Sequence, residues 1–150
     1  MRLAVSLILL TASGSGMYAA IVSLQPIAAE FGLSRAAASM PYFMTMIGFG
    51  LGGVVMGRLS DRIGVMKPTL IGGLCLGLGY IGAAYATSLW MFTLIHGVLI
   101  GFLGMSPFMA PLVADISHWF KRRRGLAVGI VISGSYVAGT IWPPVIQHYV

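Results

Sequence analysis

Charge is the scarcest feature of this 150-residue sequence. Asp, Glu, Lys and Arg together make up 8% of its residues, whereas soluble domains carry about 25%. Hydrophobic residues make up 58%, and the mean hydropathy is +0.94. A water-soluble fold cannot cover that much apolar surface, so the composition predicts a protein whose solvent is lipid.

Cysteine is nearly absent as well. Cys75 is the only one, which excludes an intrachain disulfide and a cysteine-based metal site. The net charge is +6, but the basic residues lie at the ends of apolar runs rather than on one polar face. This distribution argues against a nucleic-acid partner and favours anchors at a lipid surface. We expect no cofactor and no bound metal.

Long apolar runs dominate the rest of the sequence. Five are long enough to cross a bilayer, which takes about 20 residues, and they cover residues 3–25, 36–57, 69–86, 89–114 and 125–150. The sequence therefore predicts an all-α membrane protein with five transmembrane helices in one N-terminal bundle, residues 1–150. The fifth run is still apolar at Val150, which favours a truncated reading frame over a complete five-span protein.

Lys and Arg are unevenly distributed between the two ends of these runs. One end holds eight of the nine, namely Arg2, Arg58, Arg62, Lys67, Lys121, Arg122, Arg123 and Arg124. The other end holds only Arg35. Because loops rich in Lys and Arg stay in the cytoplasm, we expect a cytoplasmic N-terminus in a plasma or inner membrane.

Seven of the nine basic residues fall into two short clusters on the predicted cytoplasmic side. The stretch GRLSDRIGVMKP, residues 57–68, joins the second and third runs. Gly57 leaves room for a close helix approach, Gly64 permits a left-handed turn, and Asp61 can pair with an arginine. The basic residues of this predicted gating loop are Arg58, Arg62 and Lys67. We expect the loop to latch helical bundles shut on one side of the membrane.

The second cluster is the run Lys121, Arg122, Arg123 and Arg124 before the fifth apolar segment. Two interpretations are open for it. The run simply enforces the cytoplasmic location of this loop, or one of its arginines also pairs with Asp61 across the inner face.

Charged residues are absent from the middle of every predicted span. A charge there costs roughly 2.5–3.5 kcal/mol on insertion scales, so its presence would mark function. We therefore expect these spans to bind a solute through a complementary shape and hydrogen bonds, and not through a countercharge. Among the polar residues at membrane depth, the candidates for a substrate pathway are Tyr18, Thr45, His96, Ser133 and Tyr136. The competing interpretations are aromatic packing for the tyrosines and a bond to a neighbouring carbonyl for His96.

Glycines recur four residues apart within the apolar runs. The pairs are Gly48 and Gly52, Gly53 and Gly57, Gly73 and Gly77, Gly97 and Gly101, and Gly125 and Gly129. Each pair places two small residues on one helix face, which lets two backbones touch. The pattern predicts close packing in a bundle whose helices can rock against each other.

The stretch GRLSDRIGVMKP also resembles the loop signature of the major facilitator superfamily, Gly-x-Leu-(Ala/Ser)-Asp-Arg-x-Gly followed by basic residues. The matching positions are Gly57, Leu59, Ser60, Asp61, Arg62 and Gly64. Val65 and Met66 depart from the signature, since basic residues are usual there, and Lys67 restores one charge. The resemblance implies the major facilitator fold and transport by alternating access.

A second stretch narrows the branch of that superfamily. HWFKRRRGLAVGIVISGSYVAGTIWPP, residues 118–144, resembles the fourth loop and fifth helix of monocarboxylate porters and oxalate/formate antiporters. That branch implies a small organic anion as substrate, moved by proton symport or anion exchange. The resemblance covers only the N-terminal half of a twelve-span transporter. The first run lacks the lysine typical of monocarboxylate porters, so the anion-binding cation is expected in the missing C-terminal half.

Other functions are consistent with parts of the sequence. A general solute or drug permease is the nearest one, although Gly97 stands where proton-coupled drug antiporters carry an arginine. A non-transporting five-span assembly protein is another. A membrane enzyme would draw on Asp61, Asp115 and His118, which have no recognisable catalytic spacing, so we expect no catalytic residues.

Overall fold

The computed structural model describes residues 2–22, 28, 32 and 34–149, and these residues form helices without any strand. In chain order the described elements are α1 (Arg2–Ser13), α2 (Ser15–Val22), α3 (Arg35–Ala38), α4 (Met40–Ile63), α5 (Met66–Ala84), α6 (Leu89–Ile95), a π-helical segment (His96–Met105), α7 (Ser106–Trp119) and α8 (Arg124–Tyr149). The predicted all-helical fold is confirmed. Residues 23–25 and 150 of the predicted spans lie outside the described residues.

Apart from the short helix α3, these elements form five rods. Helices α1 and α2 make the first span, α4 the second, α5 the third, α6 with the π segment and α7 the fourth, and α8 the fifth. Four rods are long and apolar enough to cross a membrane, namely Arg2–Val22, Met40–Ile63, Leu89–Trp119 and Arg124–His148. Helix α5 lies outside this set; it is 19 residues long and carries Lys67 and Pro68 in its first turn.

The predicted gating loop is mostly helical. Helix α4 continues to Ile63 and α5 begins at Met66, so only Gly64 and Val65 lie between them. The charged residues extend α4 beyond its apolar part, and the Gly64 N–H donates to the Ser60 carbonyl at 2.9 Å. The expectation of a twelve-residue loop is therefore wrong, and a two-residue turn joins the second and third spans.

Gly64 and Gly57 have different roles in this region. Gly64 has a φ of 82°, a conformation that side chains other than glycine rarely adopt. At Gly57, an added Cβ would meet nothing within 4 Å among the described residues. The left-handed turn predicted at Gly64 is confirmed, whereas the close approach predicted at Gly57 is wrong for this part of the chain.

We expect alanine to have opposite effects at these two glycines. Gly64→Ala should lower the free energy of unfolding by ~1–3 kcal/mol, because it forces an L side chain into strained backbone. Gly57→Ala should raise it by up to ~1 kcal/mol, because alanine is the better helix former. Helix unfolding in SDS, followed by circular dichroism, measures both. Equal effects at the two positions would contradict the assignment of the turn to Gly64.

The second and fourth spans cross with their backbones in contact. A Cβ added at Gly101 would lie 2.5 Å from the Thr45 carbonyl oxygen, and one added at Gly52 would lie 2.5 Å from the Phe102 carbonyl oxygen. A Cβ at Gly48 would meet the Gly97 carbonyl. The close packing predicted for Gly48 with Gly52, and for Gly97 with Gly101, is confirmed.

The other glycine pairs behave differently. An added Cβ would meet nothing within 4 Å of Gly53, Gly57, Gly77, Gly125 and Gly129 among the described residues, and at Gly73 it would make one ordinary contact, with Phe108 at 3.9 Å. The prediction of backbone contact is therefore wrong for these three pairs within the described chain. Identical spacing does not decide packing, because a second helix must also be present on that face.

The fourth span contains ten consecutive π-helical residues, His96–Met105. Just beyond them, Pro107 has no N–H with which to continue the helical hydrogen bonds. The Ser106 hydroxyl lies 2.9 Å from the Gly101 carbonyl oxygen and 3.2 Å from that of Phe49 in the second span. The wider π turn thus ends at Ser106, whose hydroxyl bonds to the second span, and at Pro107.

The first and fifth spans are joined by polar contacts. The Thr11 hydroxyl lies 2.9 Å from the Leu7 carbonyl oxygen of its own helix and 3.1 Å from the Gly134 carbonyl oxygen of the fifth span. The Trp142 indole N–H donates to the Thr11 carbonyl at 2.7 Å. The apolar core beside them comprises Leu10, Phe108, Leu112, Ile116, Ala127 and Val131. These contacts fix the first span between the fourth and the fifth, which creates the cavities described next.

Candidate functional site: two cavities around the first span

The first cavity lies where the first, second, fourth and fifth spans face each other, and we name it the Tyr18 cavity. Its volume is about 260 Å³. Its lining residues are Leu10, Ser13, Gly14, Met17, Tyr18, Phe49, Met105, Met109, Ile132, Ser135 and Tyr136. Four spans therefore share one small chamber, in which every described wall residue is uncharged.

Tyrosine and serine supply the polar groups of the Tyr18 cavity. A Cβ added at Gly139 would lie 2.5 Å from the Tyr18 hydroxyl oxygen, so this glycine lets Tyr18 lie against the fifth span. Tyr136 is 74% exposed, whereas the Ser13 hydroxyl is buried and lies 3.4 Å from the Leu10 carbonyl oxygen. The chamber can hold an apolar body and offer it hydroxyl groups.

A second cavity, which we name the His96 cavity, lies on another face of the first span. Its volume is about 520 Å³, and its lining residues are Ser15, Ala19, Tyr80, Ala83, Ala84, Phe92, His96, Trp142 and Ile146. His96 is only 2% exposed. Its Nδ1 lies 3.0 Å from the Phe92 carbonyl oxygen, which is the carbonyl bond named as its competing interpretation.

The other two pathway candidates line neither cavity. Thr45 is fully buried, and its hydroxyl donates to the Pro41 carbonyl at 2.7 Å. The Ser133 hydroxyl donates to the Ile130 carbonyl at 2.6 Å. Both bonds stay within one helix. Of the five candidates, the structure thus brings Tyr18 and Tyr136 together and places His96 in a separate chamber.

Sequence reasoning missed Tyr80. Its hydroxyl lies 2.8 Å from the Ser15 hydroxyl oxygen and joins the third span to the first. A tyrosine inside an apolar, glycine-rich run carries no signal that separates packing from polar function. A serine and a tyrosine both at membrane depth are the only sequence hint of such a pair.

At the predicted cytoplasmic end, the charged residues of both clusters are exposed, and no ion pair joins the two clusters within the described chain. Asp61 forms no ion pair with any residue of the described chain, and all four residues of the run 121–124 are exposed. Within the described ranges the ion pair that does form joins Arg2 to Asp115 at 3.6 Å. The Arg2 guanidinium also lies 4.0 Å from the centre of the Trp119 ring. The pairing of Asp61 with the arginine run is not present in this structure.

Removal of Arg2 should have a small effect. Arg2→Ala should lower the free energy of unfolding by ~1 kcal/mol, because exposed ion pairs and exposed cation–π contacts each contribute little. Asp115→Asn removes the ion pair and leaves the ring contact, so it should cost less than Arg2→Ala. SDS unfolding of both variants measures the difference. Equal losses for the two variants would mean that the ring contact contributes little.

The helices cross at glycines and surround a shared chamber. We compared the sequence of this chain with models of known protein families. The model of the Major Facilitator Superfamily matches residues 4–149. The chain belongs to this superfamily. The match spans every one of the five rods, so the predicted membership and the predicted membrane fold class are confirmed together.

Individual major facilitator proteins are similar over two thirds of the chain. Monocarboxylate transporter 12 of Mus musculus is 41% identical over 104 residues, which are 69% of this chain and 20% of that protein. The Fujikurins efflux protein of Gibberella fujikuroi is 39% identical over 103 residues, 68% of this chain and 22% of that protein. The uncharacterized MFS-type transporter YhjX of Escherichia coli is 34% identical over 95 residues, 63% of this chain and 23% of that protein. The chain thus spans about a fifth of the length of the curated relatives that it matches.

Proposed function

We propose that this chain forms part of a secondary active transporter that moves a small organic anion across the cell membrane by alternating access. The observation that carries the proposal is the Tyr18 cavity, a chamber shared by four spans of a major facilitator chain. Similarity to a relative named monocarboxylate transporter supports the anion. Proton symport or anion exchange is the proposed coupling.

An anion in this chamber requires a positive charge from elsewhere to neutralise it. Because every described residue of its lining is uncharged, Tyr18 and Tyr136 would orient the solute through hydrogen bonds without neutralising it. We propose that the countercharge comes from the remaining part of a longer carrier, since the relatives are about five times as long as the matched region. Sequencing the transcript beyond codon 150 tests this: a stop codon there would contradict it.

The gate proposed for this carrier lies at the cytoplasmic end. Asp61 and the run 121–124 are both exposed there, so they are free to meet when the helices rock. In the proposed cycle the latch forms as the inner gate closes, and Asp61→Asn should bias the carrier toward an inward-open state. Labelling of single cysteines in the inner gate measures this bias, and unchanged labelling would rule out the latch.

Membrane topology is testable on this chain directly. The proposal places the N-terminus and the turn at Gly64 in the cytoplasm. In a Cys75→Ala background, Arg62→Cys should resist a membrane-impermeant maleimide in intact cells and react after lysis. Ser88→Cys, in the turn between the third and fourth spans, should react in intact cells. Reversal of the two patterns would overturn the orientation.

Uptake measures the proposed activity. Cells that express the polypeptide of the full reading frame should accumulate at least one of labelled lactate, oxalate and formate above vector controls. The uptake should saturate, and an inward proton gradient or an internal anion should stimulate it. Absence of uptake for all three, with the protein present at the cell surface, would reject the anion proposal.

A second candidate function is export of a mainly apolar solute. Two observations favour it: Met17, Phe49, Met105 and Met109 line the Tyr18 cavity, and a similar protein is named for efflux of fujikurins. Methionine adapts its shape to irregular apolar partners. Retention of an apolar fluorescent dye by cells with and without the protein separates this function from anion uptake.

A further inference from the structure

The His96 cavity has the features of a binding site that the proposed transport path does not use. It lies on a face of the first span, around Ser15 and Ala19, that differs from the face around Met17 and Tyr18. Its volume of about 520 Å³ falls in the range of small-molecule sites, about 300–1,000 Å³. The two cavities share no lining residue, so a ligand here would occupy a different space from a solute in the Tyr18 cavity.

His96 presents an unused hydrogen-bond acceptor there. A carbonyl oxygen can only accept, so the Nδ1 that lies 3.0 Å from the Phe92 oxygen carries the ring proton. Neutral imidazole then has a lone pair at Nε2, and no described residue donates to it. As a residue His96 is only 2% exposed, yet Nε2 is not one of the fully buried polar atoms of the described residues that have no partner. Because His96 lines the cavity, a ligand there can donate to this lone pair.

The remaining polar groups of the cavity complement that acceptor. The hydroxyls of Tyr80 and Ser15 lie 2.8 Å apart, and a pair of hydroxyls that shares one hydrogen bond keeps one proton to donate elsewhere. Phe92, stacked on His96 with ring centres 4.2 Å apart, and Trp142 give the cavity aromatic walls. The site thus offers one acceptor, one donor and flat apolar surfaces.

From these contacts we propose that the His96 cavity binds a membrane-soluble, ring-containing alcohol, whose hydroxyl donates to Nε2 of His96 and whose rings pack against Phe92 and Trp142. The cavity lies at the end of the bundle opposite the Gly64 turn, because Ala84 ends α5 and Ile146 is close to the end of α8. The ligand would therefore lie in the half of the membrane opposite that turn.

Binding of 2-naphthol to the chain in lipid nanodiscs tests this site, with 2-methoxynaphthalene as the analogue that lacks the donor. In a Trp90→Phe, Trp119→Phe background, Trp142 is the only tryptophan and reports on the cavity wall. We expect saturable quenching by 2-naphthol. The methoxy analogue should bind about tenfold more weakly, the usual cost of a lost hydrogen bond to a buried group.

Two variants separate binding from partition into lipid. His96→Leu removes the acceptor and should weaken 2-naphthol about tenfold while leaving the methoxy analogue unchanged. Ala83→Phe fills the cavity and should abolish saturable quenching by both probes, whereas Ala114→Phe, at an exposed position of α7, should not. Equal affinity for the two probes in every variant, or quenching that never saturates, would overturn the proposal. Neither result depends on whether the chain transports an anion.

Discussion

Valine in place of Gly48 is expected to prevent recovery of folded protein. The Cβ that valine adds would meet the backbone carbonyl of Gly97 in the fourth span. A backbone atom cannot rotate away as the end of a side chain can, so relief requires the second and fourth spans to separate. That separation would also break the contact of Gly101 with Thr45, because both lie along the same crossing.

The expected decrease in the free energy of unfolding follows from the size of the displaced interface. Overpacking in a core that can partly adjust costs about 1–3 kcal/mol, and here the adjustment is the displacement of a whole span. We expect a loss above ~3 kcal/mol, a large share of the 5–15 kcal/mol that holds a typical domain folded. Size-exclusion chromatography of a fluorescent fusion should show aggregate in place of the monodisperse peak of the parent chain.

Gly53→Val is the matched control for this prediction. Gly53 lies five residues further along the same helix, and an added Cβ there would meet nothing within 4 Å among the described residues. The variant has the same composition and the same loss of helix flexibility. It should give the parent elution profile and a melting temperature within a few degrees of the parent. Similar profiles for both variants would show that the crossing does not depend on Gly48.

Gly48 and Gly53 together show how far the sequence could predict the fold. The existence and order of the five rods follow from apolar runs and from the positions of Lys and Arg. The face that each glycine presents does not follow, because Gly48 and Gly53 occur in equivalent four-residue pairs. Only the position of the fourth span, a long-range property, distinguishes them.

The prediction of a loop after Gly57 is wrong for a local reason. Charge and glycine in GRLSDRIGVMKP predict a loop, yet arginine is a good helix former and continues α4 into the polar region. The π segment could not be predicted for a different reason. Its glycines and Pro107 are visible in the sequence, but the bond of Ser106 to Phe49 across two spans depends on tertiary packing.

For the polar candidates, too, one part of the prediction follows from the sequence and another part depends on tertiary packing. Tyr18 and Tyr136 were predicted and share a cavity, although Tyr136 is 74% exposed. His96 was predicted from its chemistry, but its helical position turns it toward the third span and Tyr80. The sequence indicates which side chains lie at membrane depth. To know which cavity a side chain lines, one must know how four helices are arranged.

Tryptophan in place of Ser135 is expected to abolish transport by the proposed carrier. Ser135 lines the Tyr18 cavity beside Tyr136, and an indole would occupy much of a chamber of about 260 Å³. Saturable uptake of the transported anion should fall at least about tenfold, equivalent to ~1.4 kcal/mol or more. Because Ser135 is only half-buried, the bulky ring can be accommodated toward the cavity, and surface expression should stay near that of the parent.

Thr140→Trp provides the control on the same helix. Thr140 is exposed, lines neither described cavity, and bonds only to the Val137 carbonyl of its own helix, so the added ring should leave uptake unchanged. Tyr136→Phe then tests the hydroxyl alone and should raise KM several-fold, since one hydrogen bond of about 1 kcal/mol is lost. Normal uptake by a well-expressed Ser135→Trp variant would show that the solute does not pass through the Tyr18 cavity. The His96 cavity would then become the chamber to block next, through Ala83→Phe.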